Sequence, residues 1–142
     1  MATLRLEIVT PETRVFAGDV ESVLLPGVEG DLGILPQHAP LLTQLAPGEL
    51  AYVEKGVSHT LAVGHGFAEV TGTEVSILTD LAVREADIDE KLVAEALQRA
   101  EEALRNRSLV GEELEATEAS IARSLAQLKL KRRRHPGNAA IR

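Results

Sequence analysis

Three glycines recur at every third position in one short stretch of the sequence, a spacing that a phosphate-binding loop can use. Gly27, Gly30 and Gly33 alternate there with two acids, Glu29 and Asp31. A phosphate loop presents backbone N–H groups at a helix start and usually a lysine, whereas two carboxylates would repel a triphosphate. Gly27 and Gly33 are better explained as glycines that permit tight turns. The two acids have no structural reason to be acidic, so they are candidates for contact with another molecule.

Histidine is the other residue type here that could act as a metal ligand or a catalytic base. The chain has four histidines and no cysteine, and the histidine spacing supplies neither His-x-x-x-His nor His-Glu ligand pairs. His38, in a turn flanked by prolines, is predicted to make one hydrogen bond. His65, between two glycines, is predicted to lie in a hairpin turn. The sequence therefore predicts no metal site.

No set of side chains in the sequence forms a reactive centre. Neither a Ser-His-Asp arrangement nor a pair of buried carboxylates can be assembled, and the chain by itself is predicted not to be an enzyme. The lack of cysteine excludes thiolate chemistry and a disulfide framework. It suits a reducing, cytoplasmic setting.

The length and composition are those of a small soluble protein. The 142 residues suffice for one ordinary core, or for a small domain with an appendage. Aromatic residues make up only 2% of the chain, so the core must be built from Leu, Val, Ile and Ala. No segment approaches the roughly 18 apolar residues of a membrane span, and the N-terminus lacks the apolar core of a leader peptide. No direct membrane insertion is predicted.

The net charge of −7 conceals an uneven distribution along the chain. Residues 1–84 and residues 85–118 each carry 11 acids and 4 bases, whereas residues 119–142 carry 7 bases and no acid. This basic end would be attracted to an acidic surface on a partner. A basic tail that is simply solvated is the alternative interpretation.

The first half of the sequence has the two-residue period of β-strands. Leu4, Leu6 and Ile8 alternate with polar residues, which places the three on one face of a strand. Similar runs occupy residues 19–25, 49–54, 59–63, 67–71 and 74–79, with glycine- or proline-containing turn signals between them. Residues 26–48, with eight glycines and prolines among large aliphatic residues, are predicted to form a shaped, partly buried loop.

The second half has the 3.6-residue period of α-helices. Apolar residues recur three or four positions apart from Ile88 onward. Asp87 and Glu90 are predicted to be a capping pair, an acidic variant of the capping box. A break at residues 106–111 precedes a second helix, which is predicted to begin near Glu112.

The two halves together predict a β + α architecture. Many short strands of this spacing indicate an N-terminal antiparallel β-sandwich or flattened barrel at residues 1–84. Residues 85–142 are predicted to form a C-terminal antiparallel two-helix hairpin with a basic tail, because the connection between the helices is short.

Alanine dominates the predicted contact between the helices, at positions Ala96, Ala100, Ala103, Ala119, Ala122 and Ala126. Alanine permits close approach but buries little area, and burial contributes only about 0.8 kcal/mol per CH₂ group. The Ala, Glu, Leu and Arg content favours each helix by itself. Two stable helices with a weak contact between them can separate while remaining helical.

The glycine- and proline-rich stretch carries a resemblance to a known family. Residues 27–34 read Gly-Val-Glu-Gly-Asp-Leu-Gly-Ile, residues 36–43 read Pro-Gln-His-Ala-Pro-Leu-Leu-Thr, and Pro-Gly follows at 47–48. This order closely resembles the signature of the epsilon subunit of F-type ATP synthases of the bacterial type. The organisation of that family, a β-sandwich followed by a helix–turn–helix, agrees with the change of period along the chain.

The resemblance implies a non-catalytic central-stalk (rotor) subunit of a proton-translocating ATP synthase. Glu29, Gly30 and Asp31 are implied to contact polar loops of the membrane-embedded ring of c subunits, where opposite charge would fix the register of two bodies that turn together. His38 is implied to contact the gamma subunit, which forms the shaft. Such a subunit would lie peripherally at the cytoplasmic face of the bacterial inner membrane.

The resemblance also implies that the hairpin regulates the enzyme. In the family the hairpin either folds back beside the β-domain or extends into the catalytic head of alpha and beta subunits and blocks hydrolysis. The residues implied to make the inhibitory contact are Arg123, Lys129, Lys131, Arg132, Arg133 and Arg134. The acidic excess of the first helix would favour the folded-back form.

ATP is the one small ligand that the resemblance suggests, and no other cofactor is expected. Some family members bind ATP on the hairpin through an Ile/Leu-Asp-x-x-Arg-Ala motif and further arginines. The matching residues here are Ile88, Asp89, Arg99 and Arg123. Leu92 and Gln127 replace two of the arginines, and a triphosphate requires several converging guanidiniums. Binding is therefore expected to be millimolar or absent.

Two other classes of function are less consistent with the sequence. The run from Lys129 to Arg134 is basic enough to contact nucleic acid, but it has no aromatic stacking residues and the rest of the chain is acidic. No nucleic-acid partner is therefore predicted. A phosphatase or kinase that uses the glycine-rich turn is disfavoured by the two carboxylates in that turn. Recovery with a large hydrolase complex would support the rotor interpretation, whereas salt-sensitive recovery with nucleic acid would support the second.

Overall fold

A computed structural model describes residues 2–133 and shows β-strands followed by two α-helices. Met1 and residues 134–142, which include Arg134 of the predicted inhibitory contact, lie outside the described residues. The strands are β1 (Leu4–Val9), β2 (Arg14–Val20), β3 (Ser22–Gly27), β4 (Gly30–Ile34), β5 (Leu41–Leu45), β6 (Gly48–Glu54), β7 (Val57–Val63), β8 (Gly66–Val70), β9 (Glu74–Thr79) and β10 (Ala82–Arg84). The helices are α1 (Glu90–Asn106) and α2 (Gly111–Arg133), and a 3-10 turn at Glu85–Asp87 precedes them.

The strands form one curled sheet in the order β10-β7-β6-β3-β5-β8-β9-β1-β2, and β4 pairs with β3 beside this path. Neighbouring strands are antiparallel, except that β1 runs parallel to β9. The predicted fold class, an antiparallel β-sandwich or flattened barrel followed by a two-helix hairpin, is confirmed apart from this one parallel pair. The parallel pair places the first strand of the chain between β9 and the edge strand β2.

Alternation along the strands produces the core. Leu4, Leu6 and Ile8 of β1 are buried, as predicted, because alternate residues of a strand point to the same face. The other strands complete the cluster with Val20, Val23, Leu25, Ile34, Leu45, Leu50, Tyr52, Leu61, Val63, Ala68, Val70, Val75 and Ile77. Apart from Tyr52, the cluster is aliphatic, as the scarcity of aromatic residues predicted.

The glycine- and proline-rich stretch is more regular than the predicted loop. It contains β4 and β5, together with the end of β3. The prediction failed because the sequence of β4 includes glycines and an acid, which are poor strand formers, whereas pairing with β3 from Val23 to Gly27 overrides that local preference. The predicted run 19–25 was also wrong in its bounds: it joins the end of β2 to β3, which Glu21 separates.

Aromatic side chains link the two ends of the curled sheet. The ring of Phe16 on β2 lies 4.5 Å from that of Tyr52, which lies 5.0 Å from the ring of His59 on β7 (centroid distances). Arg84 of β10 donates a hydrogen bond to the carbonyl of Val15 at 3.3 Å. Burial raises the pKa of Tyr52 above its ordinary value of 10.0, although Arg84 acts in the opposite direction. The phenol therefore contributes stability at neutral pH that is lost as the pH rises beyond that value.

Helix α1 begins later than predicted. Asp89 is its N-cap, and its carboxylate accepts a hydrogen bond from the N–H of Leu92 at 3.1 Å. The predicted capping pair of Asp87 and Glu90 is wrong, because Asp87 belongs to the preceding 3-10 turn. Ile88 is extended and buried against the sandwich, so the helix cannot start until the next acid.

The two helices differ in how they are held. Helix α2 buries Ser124, Leu128 and Leu130, and Leu130 packs with Ala62 of β7 and Ile88 in a second apolar cluster. No residue of α1 is buried. Helix α2 is therefore the one that packs on the sandwich, and the weak contact between the helices that the alanine content indicates stays a prediction.

None of the described helices has the length and apolar character that crossing a membrane requires.

Candidate functional site

The acidic turn, residues 28–31, projects two carboxylates from one end of the sandwich. Gly30 has a φ of +127°, a conformation that side chains rarely adopt. At Gly27 an added Cβ would lie 2.8 Å from the carbonyl oxygen of Gly30, so the close β3–β4 approach requires glycine there too. Glu29 and Asp31 are exposed, and within residues 2–133 neither carboxylate takes part in a hydrogen bond or ion pair. Both are available to a partner.

Gly33 does not have the turn role predicted for it. It lies within β4, opposite Leu24, and an added Cβ would meet nothing within 4 Å. The regular spacing of the three glycines is therefore not a single motif, because only Gly27 and Gly30 are required by the backbone around the turn.

His38 has the structural role that the sequence predicted. Its Nδ1 lies 2.7 Å from the carbonyl oxygen of Ala39, and its backbone N–H donates to Leu35 at 3.1 Å. The preceding residue, Gln37, has a φ of 72°, which makes the turn tight. Among the described residues no group of His, Asp and Glu could hold a metal ion. The half-buried ring is thus a surface feature beside the start of β5.

An exposed apolar strip, which was not predicted from the sequence, crosses three neighbouring strands. It consists of Leu42 on β5, Phe67 on β8 and Leu78 on β9, which are 70%, 51% and 60% exposed. Phe67 lies directly opposite Leu78, and Leu42 lies opposite Glu69, two residues from Phe67, so all three share the outer face. Contiguous exposed apolar side chains mark contact surfaces. The available signal was an apolar residue at an outward position of each of the predicted runs 67–71 and 74–79, whereas Leu42 lay in the predicted loop.

The basic residues of α2 are occupied by contacts within the chain. Lys131 Nζ donates to the carbonyl of Glu85 at 3.2 Å, Arg132 pairs with Glu90 at 2.9 Å, and Arg133 pairs with Glu49. Arg123 binds Asp80 at 3.1 Å, and Lys129 is exposed. In this folded-back form the cations predicted to reach the catalytic subunits largely hold the hairpin instead.

The residues that match the ATP motif are not gathered in one cavity. Ile88 is buried, Asp89 caps α1, and Arg123 binds Asp80 on the sandwich. Arg99 lines a separate cavity of about 360 Å³ near the end of α1. The ATP site therefore stays a prediction, and this arrangement offers no converging set of guanidiniums.

Titration of the full chain with ATP is expected to show no saturation below roughly millimolar concentrations, which correspond to only about 4 kcal/mol of binding free energy. Two motif arginines are replaced, and Arg123 would have to leave Asp80 first. Calorimetry with ATP, and with the variant Leu92→Arg as a comparison, measures this directly. Micromolar affinity of the unaltered chain would contradict the expectation.

The β-sandwich with its projecting turn corresponds to a known class of domain. Residues 3–85 match the family model described as the beta-sandwich domain of the ATP synthase delta/epsilon chain. This class covers the strands and the acidic turn, and the match ends just before the helices.

Full-length relatives make the identification specific. The ATP synthase epsilon chain of Dehalococcoides mccartyi is 43% identical over 96% of this chain and 99% of its own length. That of Herpetosiphon aurantiacus is 46% identical over 92% of this chain and 98% of its own length. The chain belongs to the ATP synthase epsilon chain family, and the resemblance seen in the glycine- and proline-rich stretch is confirmed.

Solved structures share the fold over most of the chain. A chain in the cryo-EM structure of Euglena gracilis mitochondrial ATP synthase (OSCP/F1/c-ring) matches with a TM-score of 0.71 at 24% identity, covering 100% of this chain and 83% of its own. A chain in the central stalk/c-ring structure of Tetrahymena thermophila mitochondrial ATP synthase has a TM-score of 0.55 at 18% identity, covering 93% and 96%. At these identities the likeness concerns the fold alone.

Proposed function

We propose that this chain is a non-catalytic rotor subunit in the central stalk of a proton-translocating F-type ATP synthase. The observation that carries the proposal is the 43% and 46% identity to two epsilon chains over nearly the whole length of this chain. The two structural neighbours come from an F1/c-ring assembly and from a central stalk with its ring, which supports the same place in the complex. The subunit would then lie peripherally at the cytoplasmic face of the bacterial inner membrane.

The acidic turn is the proposed contact with the ring of c subunits. Glu29 and Asp31 are exposed charges that the rest of the described chain does not neutralise, and Gly30 sets the backbone that presents them. Opposite charges on polar loops of the ring would be attracted to them and would fix the register between two bodies that turn together.

Reversing both charges, by Glu29→Lys with Asp31→Lys, is expected to weaken attachment of the catalytic head to the ring at least about tenfold, because like charges across an interface cost several kcal/mol. ATP-driven proton pumping in inverted vesicles measures the loss. The matched control is Glu12→Lys with Asp19→Lys, which changes the net charge equally at exposed positions away from the turn. Unchanged coupled pumping in the first variant would contradict the proposed contact.

The apolar strip and His38 are the proposed contact with the gamma subunit. Leu42 follows His38 closely in the chain, and Phe67 and Leu78 extend the same outer face across two more strands. Covering three exposed apolar side chains would contribute favourable free energy to binding, whereas the half-buried imidazole adds one oriented polar group.

His38 and the acidic turn lie at opposite ends of β5, and the apolar strip crosses the strands between them. The loop with His38 leads into the strand at Leu41, and the backbone N–H of Val28 donates to the carbonyl of Gln44 at 3.1 Å near the other end. Strand residues advance about 3.3 Å each, so His38 and the acidic turn are separated by roughly 15 Å along a paired strand. In this proposal the paired sheet transmits torque from shaft to ring.

The hairpin is the proposed regulator of hydrolysis. In this proposal residues 1–84 and residues 85–142 act as separate units, and the second unit extends toward the alpha and beta subunits to inhibit them. The absence of any buried residue in α1 supports easy release. Release from the sandwich would also free Arg133 from Glu49 for contact with the catalytic head, whereas Arg132 keeps its partner Glu90 until the two helices separate.

A further inference from the structure

Helix α2 is fixed to the sandwich at two separate places. Near its C-terminal end, Leu130 packs in the second apolar cluster and Arg133 pairs with Glu49. Ten residues earlier, Arg123 Nη1 lies 3.1 Å from Asp80 Oδ2. At about 1.5 Å per residue, this second attachment is roughly 15 Å along the helix from the first.

The position of Asp80 is set by the turn between β7 and β8. The backbone N–H of Asp80 donates to the carbonyl of His65 at 3.0 Å. The buried hydroxyl of Thr79 accepts from the N–H of Gly64 at 3.2 Å and lies 2.9 Å from the same His65 carbonyl. Asp80 thus extends from a hydrogen-bonded turn, and its carboxylate needs little reorganisation to bind a cation.

Gly64 provides the space in which the ion pair forms. A Cβ at this position would overlap the carboxylate of Asp80 and would lie 3.3 Å from Cγ of Arg123. The overlapping atom is the end of a side chain, so a larger residue would displace the carboxylate without forcing the strands apart. The pair and the glycine form one structural unit.

The ion pair is the contact best placed to control the hairpin. The other described ion pairs of α2 are less well placed. Arg132–Glu90 joins the two helices to each other, and Arg133–Glu49 lies beside Leu130 of the second apolar cluster. If Arg123 leaves Asp80, the described contacts hold α2 to the sandwich only at its end near the linker, and this single attachment opens more readily than two.

We propose that Asp80, Arg123 and Gly64 form a latch that keeps the hairpin folded back, and that opening of this latch precedes extension. The inference rests on the proposed regulatory function, since it identifies what that regulation must release. It also makes two roles of Arg123 mutually exclusive, because this guanidinium can reach the catalytic subunits or a nucleotide only after it leaves Asp80.

A cysteine under the docked helix measures opening. The chain has no cysteine, so the substitution Ala62→Cys creates a unique thiol. Ala62 is fully buried in the cluster with Leu130 and Ile88, and the thiol can react with a disulfide reagent only when α2 moves away. The labelling rate of the full-length chain then reports the opening equilibrium, as long as the hairpin closes faster than the reagent attacks.

In this background Asp80→Asn, Arg123→Gln and Gly64→Ala are each expected to raise the labelling rate about two- to fivefold, the range of a partly exposed ion pair. The double variant, Asp80→Asn with Arg123→Gln, should label no faster than either single variant. Glu90→Gln, which removes the pair between the helices, is the matched control and should leave the rate unchanged. Unchanged rates in all three variants, or effects that multiply in the double variant, would overturn the latch.

A second measurement applies if Ala62→Cys by itself loosens the helix and removes the protection. Nitroxide labels on cysteines introduced in place of Ser58 and Ser108, both exposed, report the distance between sandwich and hairpin. The latch predicts that the fraction with the folded-back distance falls in the same three variants and not in Glu90→Gln. An equal fraction in all of them would refute the latch.

Failure of the latch and failure of the proposed function give different results. If the variants open the hairpin but hydrolysis by the assembled ATP synthase never responds to it, the latch stands and the inhibitory role is wrong. If removal of the hairpin stimulates hydrolysis but the three variants do not change opening, the inhibitory role stands and the latch is wrong.

Discussion

Truncation after Arg84 is expected to raise ATP hydrolysis by the assembled complex about sixfold while proton pumping stays coupled to it. The estimate follows from a modest coupling free energy. If the inhibited form is favoured by about 1 kcal/mol, roughly five of every six complexes are inactive, and removal of the hairpin makes all of them active. Every member of the main core cluster lies between Leu4 and Ala82, so the truncated chain keeps the packing that supports its proposed contacts. The ATPase rate and the pumping rate of the reconstituted complex are the two measurements.

The truncation needs one control, because it uncovers part of the second apolar cluster. Ile88 and Leu130 pack over Ala62 and Val83, and their removal exposes these two side chains to water. The free energy of unfolding of the sandwich is therefore expected to fall. A urea unfolding curve of the truncated chain shows whether the sandwich remains folded under the conditions of the assay. Unchanged hydrolysis by a complex that contains a folded sandwich would contradict the regulatory role, and a rise accompanied by lost pumping would assign part of the coupling to the hairpin.

The elements with a clear period were the ones that the sequence could predict. The alternation of β1 gave the correct inward face, and the second half gave two helices separated at residues 106–111. These features depend on neighbours in the chain, where side-chain direction repeats every two or 3.6 residues. Strands β4 and β5 were missed because their pairing partners, β3 and β8, are set by the fold and not by local preference.

The candidate sites could likewise be predicted only where their residues are close together in the chain. The acidic turn could be recognised because its glycines and acids are adjacent in the chain. The pair of Arg123 and Asp80 could not, since 43 residues separate the partners and nothing in their spacing indicates contact. The apolar strip also depends on the register of three strands, which alternation alone does not fix.

The largest effect on stability is expected from Gly66→Ala. Gly66 begins β8 and lies opposite Thr79, and an added Cβ would overlap the carbonyl oxygen of Leu78 and lie 2.7 Å from Cα of Thr79. Both atoms belong to the main chain of β9, which pairs with β8 on one side and β1 on the other, so neither can move without disturbing two ladders. The free energy of unfolding should fall by about 3 kcal/mol or more.

Gly33→Ala is the matched control, because the same methyl group is added to another strand where it meets nothing within 4 Å. Its free energy of unfolding should change by no more than about 0.5 kcal/mol. Urea midpoints of the two variants and the unaltered chain decide the matter, and equal midpoints for Gly66→Ala and Gly33→Ala would show that the close β8–β9 approach does not constrain this position. A large loss in Gly66→Ala alone would mean that glycine sets the strand separation next to Asp80, so that the geometry of the latch depends on the same backbone contact that stabilises the sandwich.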